Sequence, residues 1–229
     1  MPSRELMITE HVNILRKELE KHQNPVKAKG MSAYLKNRFD CYGIKAPVRN
    51  EIQKKWFSQL KSSEVNHWDL IYNLWDQKQR EYQYIAVDFT KKIPKKDIHI
   101  DDHKYLEELI TTKSWWETVD SLASNYVGRY FQKFPEQIDP IITRWRNSDN
   151  FWLNRTCLIF QLKYKEEVDF DLLKSLITQY QAVEEFFIQK AIGWSLRQYS
   201  KFNPKGVKQF INEIELEGLA RREASKYIS

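Results

Sequence analysis

The chain has 229 residues, 41% of them hydrophobic and 30% charged, which supplies enough apolar material for a folded core and excludes a disordered polyelectrolyte. A formal charge of +6 and a pI near 9.1 favour phosphate or an acidic partner, and no apolar run approaches the ~18 residues of a membrane span. The two cysteines, Cys41 and Cys157, are far apart among apolar neighbours, which excludes a disulfide framework and predicts reduced thiols in a cytoplasmic protein.

The first residues, from Met1 to Leu6, lack the apolar core of a secretory leader. Ile14, Leu15 and Leu19 predict an amphipathic helix, and Leu106, Leu109 and Ile110 predict another. Breaks fall at Gly43 to Pro47, Pro94, Pro135 and Pro204, where proline stops one helix or starts the next. No Asn-Gly or Asp-Gly hairpin signal occurs, so the expected class is all-α. Ser114 with Glu117 has capping-box spacing, and Ser148, Asp149 and Asn150 supply further cap candidates.

The doublets Trp115-Trp116, Phe151-Trp152 and Phe186-Phe187 recur at nearly constant spacing, with Tyr82 in a similar place one unit earlier. That spacing is the signature of stacked helix pairs, and it predicts a curved solenoid. With no linker in the series, residues 1–229 read as one domain, in which 1–64 form a less regular cap and 65–229 the regular repeats. The doublet-led helices should line one face together.

On the first of these helices Trp116 and Asp120 are four residues apart and share a side. Spacing alone favours a structural use, with the indole in the core and the carboxylate exposed or capping. On the second, Arg155 lies within an apolar helix and needs an anion, either a structural carboxylate such as Asp120 or a phosphate. On the third, Trp194 and Arg197 share a face, and Gly193 marks close approach of a helix or a ligand. Two indoles, one carboxylate and two guanidiniums suit a phosphate-bearing, partly cationic target. No dinucleotide fingerprint, phosphate loop, zinc-protease motif or nucleophile elbow is present, and the five histidines lack ligand spacing, so neither metal nor cofactor is expected.

Several blocks then resemble the AlkD-type bacterial alkylpurine DNA glycosylases. They are Met31 to Asn37, Thr112 to Ser121, Ser148 to Leu153, Phe160 to Lys165 and Glu185 to Trp194. The resemblance implies a right-handed solenoid of HEAT-like repeats and a monomer acting on double-stranded DNA that contains alkylated purines. It further implies hydrolysis of the N-glycosidic bond of cationic N3- and N7-alkylpurines, bulkier adducts included, without base flipping. Asp120 then matches the catalytic aspartate, and Trp116 and Trp194 match the indoles that flank the deoxyribose. Arg155 and Arg197 match arginines that contact or position the DNA backbone, and Tyr34 matches an aromatic residue near the lesion. The competing readings are a non-catalytic helical-repeat protein on duplex or distorted DNA and a repeat scaffold for another protein.

Overall fold

The computed structural model describes residues 4–60 and 65–228. Met1 to Ser3, part of the leader reading, the 61–64 end of the expected cap, and Ser229 lie outside them. Among the described residues the regular structure is helical, apart from one isolated bridge between Asp40 and Gln79, so the expected all-α class holds. None of these helices is long and apolar enough to cross a membrane. The chain packs as two compact units, residues 1–93 and 94–229.

The first unit holds α1 (Arg4–Lys21), α2 (Pro25–Tyr34), α3 (Ala46–Leu60), α4 (His67–Asp76) and α5 (Arg80–Thr90). Ile8, Val12, Leu15 and Leu19 recur at helical period and form the buried stripe of α1. Ile14 lies off that stripe and is 40% exposed, contrary to expectation, because its neighbour Leu15 already occupies the inward direction. None of the residues of α2 is buried. Glu81, fully buried on α5, accepts the backbone N–H groups of Tyr42, Gly43 and Ile44, each at 3.0 Å, and so fixes the loop before α3.

The second unit runs through α6 (Asp102–Thr111), α7 (Trp116–Ser121), a π-helical turn at Leu122–Val127 and α8 (Gly128–Lys133). It continues with α9 (Ile138–Arg146), α10 (Phe151–Ile159), α11 (Phe170–Tyr180), α12 (Phe186–Tyr199), α13 (Pro204–Glu213) and α14 (Gly218–Ala224). Leu106, Leu109 and Ile110 are all fully buried, as their spacing predicts. Three of the four prolines read as breaks fall here: Pro94 precedes and Pro135 opens a short helical turn, and Pro204 opens α13.

A single device closes three helix pairs. The Gln83 amide donates to the carbonyls of Trp75 and Gln77, both at 2.8 Å, across the α4–α5 turn. Asn154 donates to Trp145 at 2.9 Å and Ser148 at 3.1 Å across the α9–α10 turn, and Gln189 donates to Gln181 at 3.1 Å and Val183 at 2.7 Å across the α11–α12 turn. These amides bind carbonyls of the helix ends and of the turns that follow them. They also set the repeat register. Asn154 and Gln189 each follow the second aromatic of a doublet by two residues, so its counterpart on α5 is Glu81, and Tyr82 is one residue out of step.

Candidate active site

The three doublets converge. The Trp115 ring lies 6.1 Å from Trp152 and edge-on to Phe187 at 5.4 Å, while Trp152 and Phe187 are 5.0 Å apart. Phe151 stacks parallel to Phe187 at 6.3 Å. This cluster ties the first turns of α7, α10 and α12 together, as the sequence echo predicts. Helix starts differ in detail. Asn150 caps α10 by accepting the Trp152 N–H at 3.0 Å, and Glu185 caps α12 by accepting that of Phe187 at 3.1 Å. The expected capping box at Ser114 does not form: Trp115, extended at φ −157°, takes the cap position. Ser114 Oγ instead donates to the Ile110 carbonyl at 2.7 Å, closing the preceding helix.

Below the cluster, α10 presents Arg155 to α7. Its Nε donates to Asp120 Oδ1 and its Nη2 to Asp120 Oδ2, each at 2.7 Å, in a two-pronged fork. Nη1 donates to the Phe187 carbonyl on α12, and the guanidinium lies 5.9 Å over the Phe187 ring. Of the two anions the sequence left open for Arg155, the structure supplies the carboxylate. Arg155 is only 4% exposed, whereas Asp120 keeps 13% of its side chain open to solvent. Burial pushes the Asp120 carboxyl above the ordinary aspartate range, and the Arg155 guanidinium pulls against that shift. Trp116 is the first residue of α7, half-buried, one turn before Asp120.

On α12, Lys190, Trp194 and Arg197 follow at i, i+4 and i+7 and share a face; Trp194 is half-buried. Arg197 Nη1 donates to Glu223 Oε2 at 2.7 Å, and Lys190 and Lys226 join the same carboxylate at 3.1 and 2.8 Å. Lys226 and Lys190 hold the Glu223 carboxyl well below its ordinary range, at about 2. Gly193 permits the arrangement: a methyl there would stand 2.9 Å from the Ala220 carbonyl oxygen and against the Glu223 side chain. The close approach is that of a helix, α14. Glu223 and Lys190 escaped the sequence reading, although a lysine seven residues before Arg197 already asked for a shared anion.

Tyr34, the last residue of α2, belongs to the first unit and is 62% exposed. Both cysteines are free thiols; Cys157 is buried and its thiol is pushed up by desolvation. Among the described residues no cluster of His, Cys, Asp and Glu could hold a metal ion.

The family profile of DNA alkylation repair enzymes matches residues 15–228. A protein from Enterococcus faecalis, described as a predicted DNA alkylation repair enzyme, superposes with a TM-score of 0.82 at 36% identity, over 90% of this chain and 97% of that one. AlkD2 from Streptococcus mutans has a TM-score of 0.60 at 19% identity, over 79% of this chain and 90% of its own. The smu.31 protein of Streptococcus mutans UA159 has a TM-score of 0.62 at 17% identity, over 99% and 100%. These last two share the fold. No curated protein matches. With a profile match over nearly its whole length and a relative more than a third identical, the chain belongs to the DNA alkylation repair enzyme family.

Proposed function

We propose that the chain is a monofunctional DNA glycosylase that hydrolyses the N-glycosidic bond of N3- and N7-alkylated purines in duplex DNA. The observation that carries this reading is the Asp120 carboxylate, gripped by Arg155 on one side and partly open on the other, one turn after the half-buried Trp116.

An alkylpurine of this kind already bears a positive charge, so it leaves without protonation by a general acid. Charge then develops on the deoxyribose as an oxocarbenium ion. A carboxylate is suited to stabilise that charge and to orient the attacking water. Arg155 occupies one lone-pair direction on each Asp120 oxygen and leaves the others for sugar and water. It acts as a positioning residue. The faces of Trp116 and Trp194 are negative and attract a cationic sugar. Arg197, paired with Glu223 and on the face of Trp194, would contact a phosphate, and Tyr34, an exposed ring, would contact the duplex. Attack from the sugar side needs no base flipping and accommodates bulkier adducts. A chain that worked this way would act as a monomer in the cytoplasm, on the nucleoid.

The deciding experiment is release of free alkylpurine from methylated duplex DNA. Wild type should release it, and Asp120→Asn should be slower by about 10²–10³-fold, the usual loss for removing one electrostatic stabiliser. Binding without release by the wild type would leave a non-catalytic duplex binder.

A further inference from the structure

The helix that carries Asp120 does not end at Ser121 but continues through the π turn into α8. Ser124 and Asn125 within that turn, and Gly128, Arg129 and Gln132 beyond it, line a cavity of about 170 Å³ with Lys163 and Tyr164. No carboxylate lines it, and two of its residues are cations. Wide turns of this type are often found at functional sites.

The walls are fixed from behind. A methyl at Gly128 would stand 2.8 Å from the Phe160 carbonyl oxygen, so glycine lets the helix meet the segment after α10. Tyr164 Oη donates to the Gly128 carbonyl at 2.7 Å and locks that approach. Lys163 Nζ, exposed, donates to Asn125 Oδ1, and the Arg129 guanidinium lies 5.4 Å over the Tyr126 ring. Ser124 Oγ donates to the Asp120 carbonyl at 2.7 Å, so the cavity opens one turn beyond the proposed catalytic residue. Arg155, midway along α10, and Lys163, four residues past its end, thus each hold a residue of the Asp120 helix.

We propose that this cavity is a phosphodiester subsite, in which Lys163 and Arg129 hold one backbone phosphate of duplex DNA. Arg129 is nine residues past Asp120, about 13 Å along a helix axis. At about 3.4 Å of duplex axis per nucleotide, the phosphate lies within roughly four nucleotides of the lesion. The assignment rests on the chain being a protein that grips duplex DNA at Asp120.

The test is the salt dependence of binding to undamaged duplex DNA, which is independent of base release. Lys163→Met and Arg129→Gln should each lower the slope of log K against log salt by about 0.9. The double variant should lower it by little more, because both residues serve one phosphate. Lys163→Arg should restore it, and Lys205→Met, at an exposed position of α13, should leave it unchanged. Unchanged slopes for the cavity variants, or losses equal to that of Lys205→Met, would overturn the subsite. A second arm uses single-turnover release from a duplex with one 7-methylguanine and a neutral methylphosphonate at each nearby position. Wild type should slow at one or two positions, where the double variant loses nothing further; purely additive losses at every position would also overturn it. If wild type releases no base while the slopes still respond, the glycosylase reading fails and the subsite stands.

Discussion

Asp120 is held by opposing forces, and its ionisation is where they can be read. Burial raises its pKa and Arg155 lowers it, with burial ahead. The working form is the carboxylate, so activity should disappear as pH falls through a value above the ordinary aspartate 3.8. Removing Arg155 leaves burial unopposed. In Arg155→Ala the acid limb of single-turnover base release should therefore move to higher pH, whereas loss of a mere phosphate contact would leave the limb in place. Stripping one partner from a buried pair also costs about 3–5 kcal/mol, measurable by urea unfolding. Arg155→Lys keeps the charge but loses the fork, and it should show the same shift in smaller measure. The i, i+4 spacing of Trp116 and Asp120 was legible in the sequence. The pairing of Arg155 was legible only as a choice between two anions, because which one lies within reach depends on how α10 stacks on α7.

Elements carry their own closure. The Asn154 amide serves the carbonyls of Trp145 and Ser148, both at the α9–α10 turn, so Asn154→Ala should destabilise by about 1–3 kcal/mol in urea. Gly193→Ala places a methyl against α14 and should destabilise by about 1–3 kcal/mol through overpacking. Aromatic doublets betrayed the repeat because large rings at fixed spacing must share a cluster, and Trp115, Trp152 and Phe187 do. Tyr82 lies one residue from the strict register because the feature that the α4–α5 turn shares with the later ones is the amide of Gln83. The π turn left no trace in the sequence: no motif within Leu122 to Val127 announces it, and the contact of Gly128 with Tyr164 just past it joins residues far apart in the chain.

At the scale of the molecule, one carboxylate sets a pH dependence of stability. Glu223 has its pKa depressed from 4.5 to about 2 by Lys226 and Lys190, so its stabilising contribution is complete above the unfolded value. It is lost as pH falls from about 4.5 towards about 2. The urea midpoint of wild type should drop across that window more steeply than that of Glu223→Gln, whose side chain does not titrate. The charge of +6 pointed to an anionic partner but could not say where on the chain it would bind, since cations such as Lys190 and Lys226 are engaged by Glu223.

The π turn also has an evolutionary reading. A π turn holds one residue more than the α-helical turn it replaces. Deleting one residue between Leu122 and Val127 would turn it into plain α-helix while Asp120 before it and Gly128 after it kept their own packing. The same deletion anywhere else in that helix would rotate everything downstream by about 100°. This turn is therefore the place where the lineage could gain or lose a single codon without disturbing either end, and relatives one residue shorter should carry their gap here.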